Sequence, residues 1–100
     1  MYEILYLPLA ATDLNDIVSY ISQHLQAPKA AKELLDEFDT SISSLKKFPY
    51  AHPIYRPLKP LKEEFRILPV QNYAVFYVVR EPEKIVGIYR VIYAKRDLRQ

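Results

Sequence analysis

An α+β sandwich, with two helices on one face of an antiparallel-rich sheet, follows from three features of this 100-residue sequence. A short apolar and aromatic run precedes Pro8, two segments then repeat apolar residues at steps of three and four, and three β-like runs follow in succession. Tyr2 to Leu7 reads as a strand stopped by Pro8. From Thr12 onward, Leu14, Ile17, Val18, Ile21 and Leu25 form one stripe, with Thr12 or Asp13 placed to cap an amphipathic helix. Pro28 opens a second helix whose stripe is Ala31, Leu34, Leu35, Phe38, Ile42 and Leu45, with Lys46 and Lys47 complementing its carboxyl end. The two are expected to form an antiparallel hairpin.

Phe48 and Pro49 end that helix, and residues 49–60 hold four of the eight prolines without any period, as a stiff crossover would. Phe65 to Val70, Tyr73 to Arg80 and Ile85 to Tyr93 then read as a meander. Gln71 and Asn72 form its first turn, with Asn72 suited to a positive φ, and Glu81 to Lys84 form the second. Pro69 cannot donate to a ladder, so the first of these strands is expected to lie at an edge and to fray there. Residues 1–100 are expected to make one domain around one core.

Composition excludes several classes of function. There is no cysteine, so neither disulfides nor a thiolate zinc site holds the chain together. His24 and His52, the only histidines, lack the partners for a three-ligand metal site. Gly87 is the single glycine, so no glycine-rich phosphate loop exists, and no cofactor is expected. Serines 19, 22, 41, 43 and 44 all fall in the helices, and no histidine sits at a spacing that would mark a nucleophile. No apolar run approaches the roughly 20 residues that span a bilayer, and the first residues lack a basic leader, so a cytoplasmic chain without membrane contact is expected.

Charge is uneven. Residues 1–48 carry seven acids and four bases, net −3, whereas residues 49–100 carry ten bases and five acids, net +5. Arg66, Arg90, Tyr93, Lys95, Arg96 and Arg99 concentrate in the basic half. Arginine holds phosphate bidentately and tyrosine stacks on bases, so the set suits RNA, and it equally suits an acidic protein helix or a solvated terminus. Glu63 and Glu64 are candidate general bases or a solvated edge. With strict alternation, Arg90 shares a face with Ile88 and Ile92, and Tyr89 with Val91 and Tyr93.

Four stretches taken together, ATDLNDIVSYI, the closing LKKFP of the second helix, FRILPVQNYAVFYVV and IYRVIYAKRDL, resemble the RelE/ParE toxin superfamily over essentially the whole chain. The resemblance implies a cognate antitoxin that wraps the toxin, and a role in plasmid stabilisation or growth arrest. It implies one of two targets: DNA gyrase, as for ParE-type members, or ribosome-bound mRNA, cleaved by RelE-type endoribonucleases. Arg66 and Arg96 match basic RelE positions, and Tyr93 stands where many ParE-like chains carry histidine, making these three the catalytic candidates. Arg90, Lys95 and Arg99 are candidates for contact with the target or the antitoxin. Ala74 falls where the RelE signature Tyr-Arg-x-x-Tyr has arginine, Leu68 where a lysine is usual, and no tyrosine follows Tyr93. Helix one and YAVFY lean towards ParE, Arg66 and the basic end towards RelE. An inactive interaction domain on the same fold is the alternative.

Overall fold

A computed structural model describes residues 1–94. Strand β1 (Glu3–Tyr6) leads into helix α1 (Pro8–Ser19), which continues as a π-helical turn over Tyr20–His24. Helix α2 (Pro28–Ser43) follows, closed by a 3₁₀ turn at Ser44–Lys46. Strands β2 (Arg66–Val70), β3 (Tyr73–Arg80) and β4 (Ile85–Tyr93) complete the chain as described. The sheet order is β1-β4-β3-β2, with β1 parallel to β4 and the other neighbours antiparallel. The expected α+β layering is therefore present, and the last two strands have the bounds expected of them.

Several local expectations are corrected. Helix α1 begins at Pro8 and not at Thr12, because proline's fixed φ and missing N–H suit the first helical position as well as they suit a strand stop. Asp13 is thus inside the helix and caps nothing there. Leu35 is exposed; the buried stripe of α2 is Ala31, Leu34, Phe38 and Ile42, continued by Leu45. Gln71, not Asn72, takes the positive φ of the β2–β3 turn. Strand β2 runs unbroken through Pro69, which pairs with Ala74. The N–H of Ile67 points outward to the carbonyl of Pro53, so the nitrogen of Pro69, two residues on, also faces the outer edge, and the β2–β3 ladder loses nothing there. The Pro-rich crossover supplies the cover for that edge, with Ile54 bridging Arg66.

The helices pack on one sheet face, where Phe38, Ile42, Leu45, Val75, Tyr77 and Ile88 meet. Phe38 also meets the edge of Tyr73 at 5.6 Å. Tyr77 is fully buried and its hydroxyl donates to the carbonyl of Pro49 at 2.7 Å, tying the crossover to the core. Tyr77→Phe strands that carbonyl, so it is expected to lower unfolding free energy by about 1 to 3 kcal/mol, read as a lower urea midpoint. An unchanged midpoint would mean that water replaces the hydroxyl.

Strand β4 contains a β-bulge. Phe76 pairs with Arg90 but Tyr77 pairs with Ile88, leaving Tyr89 as the extra residue. Val86, Ile88 and Val91 consequently all face the helices, and Tyr89, Arg90 and Ile92 share the opposite face. Arg90 therefore shares a face with Ile92 but not with Ile88, and Tyr89 parts from Val91 and Tyr93.

Candidate functional site

The candidate residues fall in three places. Arg66 lies at the start of β2, under the crossover. Its Nη1 donates to the carbonyl of His52 at 2.8 Å and more weakly to that of Tyr50 at 3.4 Å, while the guanidinium stacks 5.0 Å from the centre of the Tyr50 ring. Tyr50 in turn donates to Glu81 at 2.5 Å, and the hydroxyl of Tyr2 donates to the same carboxylate at 2.8 Å. Lys84 completes this clasp on Glu81. The hydrogen bonds from Lys84, Tyr50 and Tyr2 lower the Glu81 carboxyl to about 2, and the bond to Glu81 raises the Tyr50 hydroxyl to about 12. Arg66 is thus occupied in holding the amino terminus, the crossover and the β3–β4 turn together.

Arg90 is held on the opposite face of the sheet. Strand β1 covers β4 only as far as Ile88, and where it stops Asp13 of α1 takes over the open edge, accepting the Val91 N–H at 2.9 Å. Arg90 then grips that carboxylate with two nitrogens, at 2.7 and 3.0 Å. The bonds from Arg90 and Val91 hold the Asp13 carboxyl below the usual carboxylate range, against the opposing effect of burial. A carboxylate held low stabilises the fold above its unfolded value of about 3.9, and that stabilisation is lost as pH falls through the folded value. Asp13→Asn is expected to narrow its stability gap to the parent as pH falls from about 5 to 2, measured by urea unfolding. A gap independent of pH would contradict the pairing.

Beside Arg90, Leu9, Tyr55, Leu61, Phe65, Phe76, Tyr89 and Ile92 line an open apolar cleft of about 370 Å³. Tyr55 meets Phe76 edge-on at 5.2 Å, and Phe65 meets Tyr89 at 5.0 Å. Glu63, a candidate base, accepts from Tyr89 at 2.8 Å and from Arg80 at 2.7 Å, while Glu64 lies 3.8 Å from Arg66. Both acids are paired with arginines.

Tyr93 stands at the far end of β4 on the helix face, against Tyr73. Arg66 is level with Tyr77 and Tyr93 with Tyr73, so four residues of β3, about 13 Å, and two strand spacings separate them. Arg66, Arg90 and Tyr93 are not brought together. Arg96, Lys95 and Arg99 lie outside the described residues. Leu68 and Ala74, where the resemblance calls for bases, are 4% and 0% exposed. No group of metal-ligating side chains occurs among the described residues, and no described helix is long and apolar enough to cross a membrane. The Asp13–Arg90 pair and the Glu81 clasp were missed because their partners lie up to 79 residues apart with no local pattern to announce them.

Among solved structures, the chain is similar to the chromosomal ParDE system of P. aeruginosa, at 19% identity and TM-score 0.74, covering 94% of this chain and 97% of that one. It is also similar to the archaeal RelE-RelB complex of Pyrococcus horikoshii OT3, at 16% identity and TM-score 0.62, covering 96% and 98%. A third likeness is to the RelBE2 toxin–antitoxin complex of Mycobacterium tuberculosis, at 16% identity and TM-score 0.61, covering 92% of this chain and 96% of that one. No curated protein sequence matches the chain. The sequence profile described as ParE toxin of type II toxin–antitoxin system, parDE, matches residues 4–98. The chain therefore belongs to the ParE toxin family of type II toxin–antitoxin systems.

Proposed function

We propose that this toxin arrests growth in the cytoplasm by docking on a protein, DNA gyrase, and not by cutting mRNA. The observation that carries the reading is the dispersal of the described candidates, Arg66, Arg90 and Tyr93. RNA cleavage through the 2′ hydroxyl needs a base, an acid and a charge stabiliser within hydrogen-bond reach of one phosphate. Here Arg66 is bonded to backbone carbonyls, Arg90 to Asp13, and Tyr93 lies at the other end of the sheet from Arg66. Leu68 and Ala74 are buried where bases would be needed. Docking on a protein requires none of that convergence. The test is a supercoiling assay of purified gyrase with the purified toxin: inhibition supports the reading, and full supercoiling at a large toxin excess overturns it. An inactive domain would also fail to arrest growth on induced expression.

A cognate antitoxin is the expected partner, since the similar P. horikoshii structure is of a RelE-RelB complex and the P. aeruginosa one of a ParDE system. The basic end of the sequence, with Lys95, Arg96 and Arg99, suits an acidic antitoxin segment. The association rate is then expected to fall as salt rises from about 0.05 to 0.5 M, with dissociation changing far less. Stopped-flow binding of the adjacent gene's product checks this, and an association rate indifferent to salt would place the antitoxin elsewhere.

A further inference from the structure

The groove beside Tyr93 has no part in the reading above, yet its construction is specific. Helix α1 ends in a π-helical turn in which the N–H of Leu25 donates to the carbonyl of Tyr20 at 3.1 Å. Such wide turns are rare and concentrate at functional sites. Tyr20 is stacked on His24 at 5.2 Å and is 54% exposed. Across the groove Tyr73 and Tyr93 meet at 5.4 Å with their planes 71° apart, forming a corner, and Phe38 backs Tyr73 from the core. Tyr93 is 58% exposed. Asp16 stands at the rim, and Ile17, Ile21 and Leu25 complete an open recess of about 580 Å³.

We infer that this groove binds an arginine or lysine side chain presented by a protein partner, with the cation in the corner of Tyr20, Tyr73 and Tyr93 and Asp16 as its counter-charge. The faces of aromatic rings attract cations, and rings set nearly at right angles offer more than one face to the same charge. The local charge agrees: Pro8 to His24 contains Asp13 and Asp16 and no lysine or arginine. Asp13 is spent on Arg90, whereas no described base pairs with Asp16. The same tyrosines without the acid would suit stacked bases, but a carboxylate at the rim repels phosphate, which favours protein over nucleic acid. The apolar wall suits the aliphatic stem of a long cationic side chain. The recess extends beyond one side chain, leaving room for the partner's neighbouring residues. The inference does not depend on which target the toxin attacks.

The test is titration of the purified chain with N-acetyl-arginine amide and with its neutral counterpart N-acetyl-citrulline amide, following the tyrosine ring resonances by NMR. Saturable shifts at Tyr20, Tyr73 and Tyr93 are expected with the arginine probe, with binding about two- to fivefold weaker for citrulline, the size of a solvent-exposed cation–π contact. Asp16→Asn and Tyr20→Leu, both at exposed positions, are each expected to weaken arginine binding several-fold while leaving the backbone amide spectrum of the rest of the domain unchanged. Equal responses to the two probes, no saturable response to arginine, or a response to single-stranded RNA in its place would overturn the assignment.

Discussion

Phe38→Ala is expected to lower the free energy of unfolding by about 3 to 5 kcal/mol, enough to leave a domain of this size barely folded. Phe38 is 1% exposed and sits where α2 meets the sheet, with its ring against Tyr73 and within the cluster that holds Ile42, Val75 and Tyr77. Truncation removes the ring's burial and leaves a cavity that neither layer can close, since Tyr73 is itself held against Tyr93. Urea unfolding followed by far-UV circular dichroism gives the value. A midpoint close to that of the parent would mean that α2 does not supply the core of the sandwich.

Ala74→Arg restores the arginine that the RelE signature carries, and it is expected to destabilise the domain by about 3 kcal/mol while conferring no RNA cleavage. Ala74 has no exposed surface, and its neighbours across the ladders are Pro69 and Ile92. A guanidinium there must either stay buried without a described acid beside it or force aside the chains that cover it. Thermal unfolding measures the cost. A variant as stable as the parent would show that the cover over Ala74 opens freely and that burial there does not exclude a RelE-like arginine.

Strands β3 and β4 were legible end to end because runs of β-branched and aromatic residues are bounded by Gln71–Asn72, by Glu81–Lys84 and by the charged carboxyl end. The stripe of α2 was legible too, apart from Leu35, which sits on the margin of the buried arc. The start of α1 was not, because Pro8 fits two roles with equal ease. The bulge at Tyr89 was hidden for a different reason: an extra residue in a strand needs no special residue type, yet it reverses every face assignment beyond it. That reversal changed the setting of Arg90, from a strand face shared with Ile88 to a pair with Asp13, 77 residues away. The grouping of Tyr20, Tyr73 and Tyr93 depends on a π-helical turn and on strand pairing together, and neither is written in local spacing.

Docking on gyrase with mRNA left whole can be checked by mapping RNA 5′ ends across the transcriptome after the toxin is induced. A gyrase-directed toxin is expected to give growth arrest with a rising DNA-damage response and no new 5′ ends within translated messages. New ends at fixed positions within codons, appearing before growth slows, would contradict docking on gyrase and identify the toxin as a ribosome-dependent nuclease.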